Sequence, residues 1–265
     1  MQLTNGVYGI LGRYYFANNA NIWFWTLMGN EKTRGFEVIL TGVPTNKSIS
    51  SKSADVKYRI SFKQLVTRKP LIWDSYLFVT YTQKAFWDIY QESSPFKEIN
   101  FNPSIVLGKV FYKNNQPIAV GTFGMEHESN GRDSIFSRSW NNFNISYHTK
   151  IGRTTQASLK VWIPFVYKVG NPDLFDYLGF YELNVYQDLW SDKWNFELMA
   201  RKGLQFNWKG AIRSRLYYRP FKKNNQGFML EWFNGYSESL INYKEYKSVI
   251  RIGYVIKTNE FNIFN

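Results

Sequence analysis

Cysteine is absent from this 265-residue chain, and with it a disulfide framework, a thiolate nucleophile and any cysteine-held metal. Nor does any run approach the roughly 18 consecutive apolar residues that a transmembrane helix needs, which excludes a helical membrane protein. No charged-then-apolar secretory signal opens the chain, so an exported protein would be a mature form with Met1 added. Acidic residues are scarce beside basic ones, 20 against 33, and the net charge is +13. That excess suits a phosphate-rich partner, either a nucleic acid or the anionic groups at a lipid surface, and it also fits a solvated basic face. Internal repeats, low-complexity tracts and interdomain linkers are lacking too, so residues 1–265 read as one domain.

What the chain has in abundance is aromatic side chains, 10 Trp, 19 Tyr and 22 Phe, distributed in short alternating segments. From Val79 to Ile89 the odd positions are Val79, Tyr81, Gln83, Ala85, Trp87 and Ile89, while the even ones include Thr80, Thr82, Lys84 and Asp88. Period two is the mark of a strand with one apolar and one polar face. The pattern recurs at Val56–Phe62, Gly121–Ser129, Asn141–Tyr147, Leu159–Val169, Tyr177–Leu189, Trp194–Ala200 and Ile250–Ile256. Turn-rich breaks separate these segments, among them Lys113-Asn-Asn-Gln-Pro117, Gly170-Asn-Pro-Asp173 and Lys222–Gly227. With less regular segments included, the spacing predicts about 11 or 12 strands, in line with segments of about 10 residues. The polar faces carry too many Lys, Arg, Glu and Gln for a dry sandwich core. The reading is therefore an all-β protein, with the pattern favouring a transmembrane β-barrel of polar interior and apolar exterior over a soluble β-protein. Residues 1–54 are the least regular, with Tyr14-Tyr-Phe16, Trp23-Phe-Trp25 and a polar stretch at Thr45–Ser53. They are expected to supply an inward-folded N-terminal segment and a first strand.

The stretch that carries chemistry begins at Glu126. A strand puts residues i and i+2 on one face, so His127 and Ser129 stand side by side with Phe123 and Met125 on the lipid-facing side. Asn141 shares the apolar face of its own segment with Phe143, Ile145 and Tyr147. An imidazole and a hydroxyl side by side on one face are a candidate base and nucleophile pair. A His or Ser near a strand end is more often a plain interface residue. Glu126 and Glu128 look like a general-acid pair, but their opposite parity makes them interior carboxylates, and His148 has the same interior parity.

Laid out in this way, the chain resembles the outer-membrane phospholipase A family of Gram-negative bacteria. The central match is His127-Glu-Ser-Asn-Gly-Arg132 followed by Ser137-Arg-Ser-Trp-Asn141. Further blocks are Tyr81-Thr-Gln83, Glu92-Ser-Ser-Pro-Phe96, Asn171-Pro-Asp173 leading to Tyr177-Leu-Gly-Phe-Tyr-Glu-Leu183, and Gly235-Tyr-Ser-Glu-Ser-Leu-Ile-Asn-Tyr243. The resemblance implies a 12-stranded antiparallel barrel in the outer membrane and calcium-dependent hydrolysis of acyl esters in phospholipids and lysophospholipids, as a phospholipase A1/A2. It implies Ser129 as nucleophile, His127 as base and Asn141 as third member of the triad, with the Gly131 backbone N–H facing the oxyanion. Calcium is expected on oxygens of Arg132 and Ser137, completed by Ser93 of the partner subunit. Gln83 would hydrogen-bond across the interface of a homodimer that is active, the lone barrel being dormant.

Three departures accompany the match. The segment from Trp87 to Ser93 is shorter than the family's, Asp133-Ser-Ile-Phe136 is more apolar, and the chain ends on Phe264-Asn265 rather than on an aromatic residue. Two other classes compete with the phospholipase. A porin or adhesin would tolerate loss of Ser129, and a basic, aromatic-rich nucleic-acid binder would dissolve without detergent. The lipid-facing parity of His127, Ser129 and Asn141 argues against both, and no nucleic-acid partner is expected.

Overall fold

A computed structural model describes residues 36–46, 54–167, 169–191, 193–220 and 226–256. The described strands are β1 (Phe36–Pro44), β2 (Asp55–Leu65), β3 (Tyr76–Trp87), β4 (Phe96–Lys113), β5 (Gln116–Ser129) and β6 (Ser139–Ile151). They continue as β7 (Thr155–Phe165), β8 (Tyr181–Asp188), β9 (Trp194–Lys202), β10 (Gly210–Tyr218), β11 (Gln226–Gly235) and β12 (Lys247–Ile256). Each pairs with its successor and β1 pairs antiparallel with β12, which closes a 12-stranded barrel. The segments before residue 36 and after residue 256, with Tyr14–Phe16, Trp23–Trp25, Phe261 and Phe264, and most of Thr45–Ser53, lie outside the described residues.

Alternation is plainest on β6 and β11. On β6, Asn142, Asn144 and Ser146 are buried, whereas Phe143, Ile145 and Tyr147 are exposed on the outer wall. On β11, Met229, Glu231 and Phe233 point inward, and Phe228, Leu230 and Trp232 outward. A wall of exposed Ile, Phe and Trp is at home in hydrocarbon, and closure leaves no strand edge unpaired there. The tightest turns, β4–β5 and β6–β7, lie at one end, which also carries the ten-residue connection 66–75. The two-residue β4–β5 turn has Asn114 and Asn115 at φ 50 and 61, the left-handed pair that a tight hairpin requires and that Asn tolerates. Longer loops gather at the other end: 88–95, 130–138, 166–180, 203–209 and 236–246.

Three strand boundaries differ from the sequence expectation. β3 stops at Trp87, β7 at Phe165, and Tyr177–Phe180 is not the start of a strand. Instead a short helix, α1 (Leu174–Leu178), follows Asn171-Pro-Asp173, and β8 begins at Tyr181. The alternation through Tyr177–Phe180 has another cause: Leu174, Phe175 and Leu178 pack with Trp140, Trp162, Leu240 and Tyr243 into an apolar cluster, against which Tyr177 and Phe180 lie. This cluster fills the barrel's mouth at the long-loop end.

Below that plug lies a network of buried, paired charges. Glu231 is fully buried, 2.7 Å from Lys57 Nζ and 2.7 Å from Arg215 Nη2. Arg251 meets Glu231 and Glu238 and lies 2.9 Å from Asp55. Arg251 also sits at the seam between β12 and β1, where its partner in register is Gly42. A Cβ at Gly42 would come within 2.3 Å of Arg251 Cγ, so glycine there makes room for the arginine. The interior parity of Glu126, Glu128 and His148 is borne out, since all three line a cavity of about 250 Å³ in the lumen. Glu126 pairs with Lys160 at 2.6 Å and Glu128 with Lys84 at 3.7 Å.

Loop 236–246 is fastened both to the barrel wall and to the segment that carries α1. Ile241 N donates to Glu98 Oε1 at 2.9 Å, Tyr243 Oη donates to Asp173, and Lys244 lies 2.7 Å from the same carboxylate. Burial pushes the Tyr243 phenol up to about 12, with the Asp173 hydrogen bond adding to it. For Glu238, burial alone would raise the pKa, but the opposing charges of Arg251, Lys57 and Lys247 win and bring it down from 4.5 to about 2. A carboxyl depressed on folding stabilises the native state fully above its ordinary pKa and loses that contribution as pH falls towards the folded value. The loop's anchorage is therefore expected to weaken between about pH 4.5 and 2. Near-ultraviolet circular dichroism of the tryptophan cluster should change over that range while the far-ultraviolet strand signal persists. Glu238→Gln should remove much of the transition, and an unchanged acid profile in that variant would contradict the assignment.

Candidate active site

The register of three adjacent strands brings the candidate residues together at the long-loop end of the outer wall. His127 on β5 is directly opposite Asn141 on β6, and Ser129 is opposite Ser139 on β6 and Phe101 on β4. His127, Ser129 and Asn141 are all half-buried. His127 Nδ1 and Asn141 Oδ1 are 2.9 Å apart. The other end of the amide fixes its orientation: Asn141 Nδ2 donates to the Val166 carbonyl at 3.3 Å. A main-chain carbonyl only accepts, so the atom facing it must be the amide nitrogen, and the oxygen faces the imidazole. His127 Nδ1 then carries the hydrogen and Nε2 the lone pair. Val166 holds φ 48, unusual for a β-branched residue, so this contact is made at some backbone cost.

The loop between β5 and β6 is built around Asn130. Its buried side chain donates from Nδ2 to the Phe136 carbonyl at 2.8 Å, and Oδ1 accepts from Arg138 N at 3.0 Å and Arg132 N at 3.3 Å. Asn130 N also donates to the Arg138 carbonyl at 3.0 Å. Asn171 performs a similar service from the β7–β8 connection, accepting from Ser139 N at 3.1 Å and donating to the Tyr167 carbonyl at 2.7 Å. Both are wholly or almost wholly buried. Neither stands out as a site residue in the sequence, although both lie inside the quoted blocks. A buried Asn beside Gly or Pro, in a loop rich in main-chain donors, is the signal that marks them.

Gly131 holds φ 62, and a Cβ there would lie 2.9 Å from the Phe101 ring. Both the left-handed backbone and the close ring favour glycine. The Arg132 guanidinium reaches β4, donating to the Lys97 carbonyl at 2.6 Å. Arg138 Nη1 donates to the carbonyls of Ser137 and Ile135, each at 2.8 Å. Ser93, exposed and at φ 61, belongs to the neighbouring 88–95 loop. Gln83 lies on the outer face of β3, where Tyr81 Oη donates to its Oε1 at 3.0 Å and its Nε2 donates to Tyr58 Oη at 3.4 Å.

As a possible metal centre the region offers neutral oxygens. Among the described residues no group of three or more His, Cys, Asp or Glu is placed to hold a metal. Of the oxygens on Arg132 and Ser137, the Ser137 carbonyl accepts from Arg138 Nη1, and the Ser137 hydroxyl and the Arg132 carbonyl are neutral oxygens that a cation could use. Hydroxyl, carbonyl and water oxygens suit calcium, which accepts such ligands at high coordination number. Two donors from one chain are too few for a complete shell, so the set fits calcium with further ligands from outside the barrel.

The fold and this arrangement define an outer-membrane β-barrel with a polar site on its lipid-facing wall. The sequence family described as phospholipase A1 matches residues 29–256. The phospholipase A1 of Salmonella typhimurium is 30% identical over 221 residues, 80% of this chain and 72% of that protein. The Escherichia coli phospholipase A1 is 30% identical over 217 residues, 78% of this chain and 71% of that protein. The solved outer membrane phospholipase A from Escherichia coli superposes with a TM-score of 0.72 at 23% identity, covering 84% of this chain and 92% of its own. A Salmonella typhi outer membrane phospholipase dimer with bound calcium gives a TM-score of 0.75 at 22% identity, covering 88% and 94%. The chain belongs to the phospholipase A1 family.

Gly131 and Gly152 make a controlled comparison, because Gly152 also has positive φ, 76, but open space where a Cβ would be. Gly152→Ala is expected to cost about 1 kcal/mol, the backbone penalty alone. Gly131→Ala should cost more, and Phe101→Ala should cancel the excess. Denaturant unfolding in detergent micelles measures all three, and equal costs for the two glycine variants would contradict the ring contact.

Proposed function

We propose that this barrel hydrolyses the acyl esters of phospholipids and lysophospholipids at the outer face of the outer membrane, as a calcium-dependent phospholipase A1/A2 that becomes active on dimerisation. The observation that carries the reading is the imidazole of His127, pinned through Nδ1 by an amide whose own orientation Val166 fixes. That leaves Nε2 as the base, on the face that Ser129 shares. In the proposed reaction Ser129 Oγ attacks the ester carbonyl while His127 Nε2 takes its proton. The Gly131 N–H stabilises the oxyanion, and the tetrahedral intermediate collapses as His127 returns the proton to the departing lysolipid oxygen. Water repeats the sequence on the acyl-serine and releases a fatty acid. Asn141 fixes the tautomer but bears no charge, so it stabilises the imidazolium less than an aspartate would.

Calcium fits the remaining electrostatic need, held by the Arg132 carbonyl and Ser137 Oγ of one barrel and completed by Ser93 of the partner subunit. When bound, it would supply positive charge beside the ester carbonyl. The related Salmonella typhi outer membrane phospholipase is a dimer with bound calcium, which supports calcium and dimerisation but not any particular ligand. Gln83 would turn from Tyr81 and Tyr58 towards a second barrel, and an isolated monomer would be dormant. Open conduction is poorly served by the lumen, because Trp140, Trp162, Phe175, Leu240 and Tyr243 fill its outer mouth. The outward placement of the site favours a lipid substrate over a water-soluble one.

Fatty-acid release from phospholipid in mixed micelles tests the reading. Release should require calcium, stop with chelator, and fall by about three orders of magnitude or more in Ser129→Ala. Calcium should also increase chemical cross-linking of barrels, and Gln83→Ala should reduce both cross-linking and activity. A folded parent that releases no fatty acid across detergents and calcium levels that permit dimers would move the function to transport or adhesion.

A further inference from the structure

We infer that Asn102 is a positioning residue for His127, holding the main chain of the base from inside the barrel where the ladder beside it is broken. The inference rests on the proposed role of His127. The break is made by Pro103, in the middle of β4. Proline lacks an N–H and is normally confined to edges and bulges of sheets, but a closed barrel has no edge. The β4–β5 pairing goes from Phe101↔Ser129 directly to Ser104↔Glu126 without a change of register. Between them Pro103 stands opposite His127. On the other side of β4 the pairing is continuous through Tyr81↔Pro103 and Thr82↔Asn102. The missing donor is therefore the one aimed at β5, and the group it would have met is the His127 carbonyl.

Asn102 makes good that loss. Its Nδ2 donates to the His127 carbonyl at 2.9 Å and to Glu126 Oε1 at 3.1 Å. Glu126 Oε2 is itself held by Lys160 Nζ at 2.6 Å. Both amide hydrogens are thus committed, one to the main chain of the base and one to a carboxylate fixed across the lumen. By parity Asn102 faces the interior, while Pro103 and His127 share the outer face as cross-strand neighbours. The imidazole is flanked by Asn141 on one side and by the Pro103 ring on the other. Proline supplies that ring at the expense of a ladder bond, and Asn102 replaces the bond from within. A group on the luminal side of the wall thereby sets the position of one on the lipid side.

The test uses the full chain in micelles, with Asn102→Ala, Asn102→Asp, Pro103→Ala and the Asn102→Ala/Pro103→Ala pair. Heat-modifiable gel mobility confirms that each variant is folded. Asn102→Ala should lower kcat about tenfold with KM unchanged, the size of effect typical of groups that orient a functional side chain. Asn102→Asp should be worse, since it sets an acceptor against Glu126 and the carbonyl. The double variant should recover most of the loss, because alanine in place of Pro103 restores the ladder N–H. A second readout is independent of turnover. The chain has two histidines, so nitrogen-edited NMR resolves the Nδ1–H of His127, assigned with His127→Ala. That signal should broaden or vanish in Asn102→Ala and return in the double variant. An unchanged kcat and an unchanged Nδ1–H signal in Asn102→Ala overturn the inference, as does a folded double variant no better than the single one. Should the parent release no fatty acid, the phospholipase reading fails while the Nδ1–H response still decides the role of Asn102.

Discussion

A main chain that crosses hydrocarbon has no water to satisfy its N–H and C=O groups, and the rest of this structure follows from that requirement. Helices meet it within one segment, but this chain has no segment apolar enough, so it must meet it between strands and must close the sheet. Closure depends on the β1–β12 seam, where Gly42 gives way to Arg251 and Arg251 in turn binds Asp55, Glu231 and Glu238. The same requirement imposes strict alternation. Once the outer positions are given to Ile, Phe and Trp, the inner ones are free to carry charge, provided that each charge finds a counter-charge in a low-dielectric interior. Lys57, Arg215 and Arg251 around Glu231 show that condition met.

The candidate active site lies where the requirement relaxes, at the long-loop rim. There β5 and β6 emerge from the apolar belt, and polar side chains on the outer face no longer face hydrocarbon alone. Register places His127 against Asn141, and the two buried asparagines, Asn130 and Asn171, shape the loops on either side. Their hydrogen bonds go to main-chain groups that a loop would otherwise leave to water. The plug contributes from the opposite face of the same strand: Asn141 points out to His127 while the preceding residue, Trp140, points in and donates from Nε1 to Glu128 at 3.0 Å.

Much of this was legible in the sequence because period two survives in the strands regardless of tertiary context. The parity of Phe123, Met125, His127 and Ser129, and the inward assignment of Glu126, Glu128 and His148, needed only alternation. Where apolar residues serve packing between loops, the same signal misleads. Tyr177–Phe180 alternates like a strand but belongs to the helix-and-loop plug, since Leu174, Phe175 and Leu178 are buried by neighbours distant in sequence. Pro103 and Asn102 are visible in the sequence, yet their meaning is not, because it lies in the register between β4 and β5. Asn130 and Asn171 are similar cases: a buried amide that bonds to main-chain groups has no periodicity to announce it.

The sideways opening of the site has a consequence for how molecules reach it. His127 and Ser129 face the plane of the membrane, so what they encounter is set by the number of molecules per unit area of the surrounding film rather than per unit volume of solution. Adding more vesicles to a suspension leaves that surface density untouched, whereas mixing an inert amphiphile into the same film lowers it. Diffusion to the site is likewise two-dimensional, through a medium far more viscous than water, and any product with an apolar tail leaves by the way it came. For a barrel of this design, the composition of the lipid immediately around it takes the place that bulk concentration holds for a soluble protein.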